Sequence, residues 1–380
     1  MGFLIMKLIF WFSLLFIIYT YVGYPLILIF WAKIRAKPVN KKYIEPSVSV
    51  IIAAYNEENF IGQKLENCLA LDYPKDKLEI IVISDGSDDK TNNIIKRFEP
   101  QGIRLFSYKD RKGKAFALNL GISKAQGEII FFTDARQFLE KDALKELTAN
   151  FNDQKVASVS GELYLLAEEK NKVSKRIGLY WEIEKWMRKK ESQINSILGA
   201  TGSIYACRKQ FVEPIPVNTI LDDVLIPFRG IFQGYRSIFE QKAKAFDKAS
   251  QNIHNEIKRK IRTLSGNYQL IAFEPNLLNP LKNPVFFQFM SHKIARLFVP
   301  FAMILLLVSN FFLTSYFYMI FLTFQLLFYL LALSARKAPD NLIGNMMKSL
   351  NVIFMMNYAA FISLFIYILN PQNIKWEKTS

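Results

Sequence analysis

The sequence predicts an α/β domain, its mostly parallel sheet covered by helices on both faces, joined to about four transmembrane helices. Three observations carry this. Short β-branched runs alternate with stretches of helical spacing through the middle of the chain. Uncharged runs long enough to cross a bilayer lie towards both ends. Lysines and arginines crowd the flanks of those runs.

The membrane segments come first. A span takes about 20 apolar residues. Residues 8–32 and 349–374 carry no charge and fit one span each. Residues 297–335 fit two, with a turn near Ser309-Asn310 or Thr314-Ser315. The first run is too long for a signal peptide, has no small-residue cleavage site and runs into Lys33, Arg35, Lys37, Lys41 and Lys42. Positive flanks stay cytoplasmic, so the N-terminus is expected outside and the middle in the cytosol. Lys282, His292, Lys293 and Arg296, and later Arg336, Lys337 and Lys348, agree; Lys375 and Lys378 run against the pattern. The expected order is a first span (1–32), a basic linker (33–45), a cytosolic domain (46–275) and a kinked, aromatic-rich interfacial helix (276–296). Three spans (297–374) and a tail (375–380) follow. The localisation this implies is multi-pass in the cell membrane.

In the middle, "SVSVIIAAY" (47–55) reads as a buried strand, and 58–71 as a helix with Ile61, Leu65 and Leu69 on one face. "LEIIVISD" (78–85) is a second strand, and Asp88 or Asp89 caps a helix reaching Phe98. "IRLFSY" (103–108), a helix over 114–126 and "EIIFFTD" (128–134) come next. Asp142 caps another helix before the strand "VASVSGELYL" (156–165). Residues 173–190, with Ile177, Tyr180, Trp181, Ile183, Glu184, Trp186 and Met187 among lysines, form an amphipathic helix that lies on the membrane, lines an acceptor path or packs in the core.

Such sheets bind ligands at the carboxyl ends of their strands. That edge collects Tyr55-Asn56-Glu57, Asp85-Gly86-Ser87 and Asp134-Ala135-Arg136. Singly these are a solvated loop, a turn and a helix cap; three separated acids converging on one edge point to ligand chemistry. The segment "AAYNEENFIG" lacks Gly-x-Gly-x-x-Gly, which argues against a dinucleotide oxidoreductase, and there is no P-loop. The net charge of +16 belongs largely to membrane flanks, and no nucleic-acid-binding motif accompanies it. The two cysteines, Cys68 and Cys207, lack metal spacing and read as reduced core thiols.

"VSVIIAAYNEENFI", "VISDGSDDKT", "RKGKAFALNLGISKAQGEIIFFTDA", "LDDVLIPFRGIFQGYRSIFE" and "RKIRTLSGNYQL", in this order, resemble the family 2 glycosyltransferases of GT-A fold, a Rossmann-like architecture. The resemblance is to the membrane-embedded branch with the cellulose, hyaluronan and poly-N-acetylglucosamine synthases, and it covers about 47–270. It implies a nucleotide-diphosphate sugar, commonly a UDP-sugar, at the strand edge. Ala54, Tyr55, Glu57, Asp85, Lys114, Asp134, Arg136, Arg259 and Arg262 would bind the donor, with Glu57 and Asp85 on the uracil and ribose side. Asp223 of the Leu-Asp-Asp motif, beside Asp222, would be the general base. Gly199, Thr201, Gly202 and Thr263 would meet a saccharide or lipid-linked acceptor. Other subunits of an assembly or export complex are implied as partners.

The chemistry supports these residue types. Inverting glycosyl transfer needs a base for the acceptor hydroxyl and positive charge for the departing diphosphate. Arg259 and Arg262 sit one helical turn apart and suit a diphosphate. The chain departs from the family pattern at three positions in two motifs. Arg259 and Thr263 stand where the family has Gln and Trp, and Arg136 replaces the second acid of Asp-x-Asp, which binds Mg2+ or Mn2+. The metal then rests on Asp134, and Arg136 pairs with the diphosphate or with an acidic neighbour. Three readings follow: extension of a polysaccharide, single-sugar transfer to a lipid-linked acceptor, and a catalytically silent membrane subunit.

Overall fold

The computed structural model describes residues 1–380 except 167–171, 249–252, 336–337, 340 and 370–380; the side chains of 172–181, 248 and 253–255 are likewise not described. The expected side-chain roles of Ile177, Tyr180 and Trp181, and the tail with Lys375 and Lys378, lie outside this description.

A long helix α1 (Gly2–Arg35), interrupted by a π-helical turn at Tyr19–Gly23, leads to the domain. There follow β1 (Val48–Ala54), α2 (Ile61–Leu69), β2 (Leu78–Asp85), α3 (Thr91–Lys96), β3 (Ile103–Tyr108), α4 (Lys114–Lys124) and β4 (Ile129–Phe132). The second half has β5 (Phe138–Leu139), α5 (Ala143–Thr148), β6 (Val156–Leu166), α6 (Lys172–Ile194), β7 (Tyr205–Arg208), α7 (Asp222–Phe232), β8 (Arg236–Lys248) and α8 (Ile253–Phe273). The chain ends in α9 (Phe286–Phe311), α10 (Tyr316–Ser334) and α11 (Leu342–Leu369).

The sheet runs β3-β2-β1-β4-β7-β6-β8-β5. Its first half is parallel, as the strand–helix alternation predicts. The second half is mixed: β7 enters antiparallel between β4 and β6, and β5 pairs antiparallel with β8. The 13-residue β8 was not foreseen, although the Lys-Ala-Lys-Ala-Phe alternation in it has the period of a half-buried strand.

The strand period of two sorts β1 between two cores. Val48, Val50, Ile52 and Ala54 pack with α2 and α5, whereas Ile51 faces α4, α7, α8 and the start of α9. The second core thus ties the sheet directly to a membrane-length helix through Phe289, Ile294 and Leu297.

Among the described residues, four helices are long and apolar enough to cross a membrane, one N-terminal and three C-terminal. The turn between α9 and α10 lies where expected, Ser315 preceding the first residue of α10. The interfacial helix expected over 276–296 is replaced by a 3-10 turn at Pro275–Leu278 and then α9 itself, which starts at Phe286 and carries a π turn at Phe289–Ile294. Pro280 and Pro284 break the chain between these pieces. Asp142 stands before α5 without a side-chain capping bond, and Asp89 accepts from the Thr91 amide at 2.9 Å.

Candidate active site

The carboxyl edge of the parallel strands is knitted together before any ligand is considered. Asn56, in the left-handed region at φ 52°, donates from its backbone amide to Ser87 Oγ and from its side chain to Asp88. The Glu57 amide donates to Thr91 Oγ1. Asp85 is 1% exposed. Its carboxylate accepts from the Tyr108 hydroxyl and from the Lys112 and Gly113 amides, at 2.7–3.1 Å. It therefore shapes the loop that delivers Lys114. Gly86, at φ +66°, lies under that loop: a Cβ there would stand 2.7 Å from the Arg111 amide nitrogen. Arg111 in turn stacks its guanidinium 4.0 Å over the Tyr55 ring, and Ala54 is buried in the core at the end of β1.

Lys114, the first residue of α4, joins the two halves of the edge. Its ammonium lies 3.1 Å from Asp134 and 3.5 Å from Asp222. Burial works against that charge, but Asp134, Asp222 and Asp223 outweigh it and hold the lysine pKa above its usual value. Arg262 comes in from α8 close enough to feel Asp222, Asp134 and Asp223; burial holds its pKa below the usual value. The separated motifs thus converge, with Asp85 beneath the loop that bears Lys114.

Asp222 and Asp223 occupy the first turn of α7 without capping their own helix. Burial raises both pKa values; Asp222 adds to the rise at Asp223, which reaches about 6, while Lys114, Lys293 and Arg188 oppose it. Proline explains how Asp223 meets the acceptor loop. Pro227 lies inside α7 and has no N–H for the carbonyl four residues back, that of Asp223. That carbonyl accepts instead from the Ala200 amide at 2.8 Å. The loop then passes so close that a Cβ on Gly202 would lie 3.2 Å from Asp223 Oδ2. Arg188 donates to Thr201 Oγ1 at 2.8 Å, and a Cβ on Gly199 would lie 3.6 Å from Lys293 Nζ.

Three expected residues have partners within the chain. Arg136 donates from Nε to both Glu57 oxygens at 3.1 Å and lies 5.3 Å over the Phe60 ring. Of the two partners open to it, the structure shows the acidic neighbour, and Glu57 is 3% exposed. Arg259 pairs with Glu256 on its own helix at 2.8 Å. Thr263 is exposed, and its hydroxyl donates to the Arg259 carbonyl.

Sequence reading missed four contributors. Lys64 is 1% exposed and donates to Thr133 Oγ1 and the Gln137 carbonyl, bracketing the Asp134 loop from behind. Tyr205 stacks on Phe132, its buried hydroxyl unpartnered among the described residues. Arg188 was hidden in a lysine-rich helix, and Lys293 read as a membrane flank. The proline four residues after Asp223 was the one local signal available.

Among the described residues, no three His, Cys, Asp or Glu side chains gather as a cation cage. Asp134, with its carboxylate 37% exposed, is a hard oxygen ligand at the edge. Mg2+ sites are commonly one or two carboxylates completed by substrate phosphates, so the donor set fits a cation shared with a diphosphate.

Residues 49–215 match the family described as glycosyl transferase family 2. The chain carries a family 2 glycosyl transferase domain. It is 30% identical over 239 residues to a probable glycosyltransferase, YdaM, of Bacillus subtilis, covering 60% of this chain and 56% of that protein. It is 25% identical over 231 residues to the poly-beta-1,6-N-acetyl-D-glucosamine synthase of Staphylococcus aureus, covering 59% and 55%. The chain spans just over half the length of these relatives. Its fold is similar to that of the mannosyltransferase PcManGT from Pyrobaculum calidifontis, solved with GDP-Man and Mn2+, at a TM-score of 0.72 and 21% identity over 97% of this chain and all of that one. The GT-A fold of the domain family 2 enzymes is thus present together with the flanking apolar helices.

Proposed function

We propose that the protein is an inverting, membrane-bound glycosyltransferase that moves a sugar from a nucleotide-diphosphate donor, a UDP-sugar foremost, to a growing saccharide. The observation that carries this is the convergence of Lys114, Asp134, Asp222 and Asp223 at the carboxyl edge of a family 2 domain. Asp223 takes the proton from the acceptor hydroxyl. The acceptor oxygen attacks the anomeric carbon from the face opposite the diphosphate, and the sugar–phosphate bond breaks with its electrons going to the departing nucleotide. Lys114 and Arg262 receive that charge. Asp134 would hold Mg2+ or Mn2+, which when bound supplies further positive charge to the diphosphate. Asp85 and Lys64 position the loops on either side, and Gly199, Thr201 and Gly202 bring the acceptor to Asp223. The domain works in the cytosol, where nucleotide sugars are made, on the positive-inside orientation.

A second reading is transfer of one sugar to a lipid-linked acceptor. Thr263, facing solvent where the family has an acceptor-stacking Trp, favours it. Purified protein in lipid, given a panel of labelled donors, tests both. Release of UDP or GDP with a ladder of products supports extension; a single lipid-linked product supports the second reading. Release that survives Asp223→Asn removes the base assignment and favours a silent subunit.

A further inference from the structure

The acceptor side of Asp223 holds two cations that the reaction described so far does not use. Lys293 projects from the π turn of α9, and its Nζ stands on the side-chain side of Gly199, 3.6 Å from where a Cβ would lie. Arg188, on α6, holds Thr201 of the same loop. Both act on the charge of Asp223. Among the described residues neither has a carboxylate within 4 Å, although acids are near. Glu184 is taken by His292 at 3.1 Å and by Arg296, and Glu191 by His292 at 2.7 Å and the Tyr24 hydroxyl at 2.6 Å. Glu184 is thus matched, Glu191 keeps one buried oxygen, Oε2, without a hydrogen bond, and two positive charges face one loop beside Asp223. Cations in a largely buried site without an ion-pair partner are costly unless a ligand supplies the counter-charge.

Their setting says where that ligand comes from. Lys293 stands on a helix of membrane length, and Met187, next to Arg188, is buried against Tyr24, Leu28 and Ala32 of α1. The two cations therefore stand where α1, α6 and α9 meet, between the apolar helices and Asp223.

We propose that Lys293 and Arg188 bind a phosphate carried by a membrane-soluble acceptor, holding its hydroxyl end at Asp223. This rests on the glycosyl-transfer reading and specifies its acceptor as an amphiphile with a phosphate. Arg supplies a bidentate fork and Lys a point charge, a pairing suited to phosphate.

The test is equilibrium binding of farnesyl phosphate to the full chain in phosphate-free maltoside micelles, with farnesol, inorganic phosphate and UDP measured on the same samples. Farnesyl phosphate is expected to bind at least about tenfold more tightly than farnesol. Lys293→Gln and Arg188→Gln should each remove about tenfold of that affinity with UDP binding kept, and Lys293→Arg should retain most of it. Equal binding of farnesol, or unchanged affinity in both Gln variants, overturns the proposal. Inorganic phosphate competing at the affinity of farnesyl phosphate overturns the membrane source. Retained UDP binding also certifies that each variant is folded. If no nucleotide binds the native chain while the Gln variants still lose farnesyl phosphate, the donor reading fails and the phosphate site stands.

Discussion

Asp223 and Arg136 show most clearly how single residues acquire their chemistry. Half-buried beside Asp222, Asp223 has its pKa raised to about 6 by desolvation and the neighbouring carboxylate. A base acts in its deprotonated form, so transfer should rise with pH through about 6 and level off above it, read as kcat/KM against pH. Asp223→Asn should lower kcat by roughly 10²–10⁴-fold and abolish that acid limb. Arg136, which the resemblance sets at a metal-ligand position, neutralises the buried Glu57. Arg136→Asp should lower the Mg2+ or Mn2+ concentration for half-activity by about tenfold by adding a hard ligand. The same change leaves Glu57 without its guanidinium and should cost about 1–3 kcal/mol in denaturant unfolding.

At the scale of elements, α7 couples helix geometry to the acceptor loop. Pro227→Ala supplies an amide that competes with the Ala200 N–H for the Asp223 carbonyl. The helix should hold or gain stability while the acceptor KM rises and the donor KM stays. Thermal melting together with the two KM values checks this. Gly86→Ala acts on the donor side: the strand–loop crossing leaves no room for a Cβ, and the residue is in the left-handed region. It should cost about 1–3 kcal/mol and raise the donor KM by moving the Asp85-supported loop before Lys114.

For the molecule as a whole, the question is what fastens the domain to its helices. The sheet's second core includes the first turns of α9, and His292 bridges Glu184 and Glu191 of α6 while Tyr24 of α1 donates to Glu191. His292→Leu leaves two buried carboxylates each short of a donor. It should destabilise the detergent-solubilised protein by about 1–3 kcal/mol per carboxylate, seen as a lower Tm. With α1, α10 and α11 largely exposed and α9 half-buried, the protein should stay with membranes through alkaline carbonate washing.

By itself the sequence determined the parallel half of the sheet, the four apolar helices and the convergence of acids on one edge. Each is a consequence of local periodicity or chain order: short β-branched runs joined by single crossover helices favour parallel pairing, and parallel strands share an edge at their carboxyl ends. Only the tertiary structure decided which partner each charge meets. Glu57 and Arg136 are 79 residues apart, and Asp223 and Lys293 are on different elements. Whether an acid binds a ligand, supports a loop as Asp85 does, or neutralises an arginine depends on what long-range packing sets within a few ångströms of it. Electrostatic energy falls with distance in space, and separation along the chain does not report that distance.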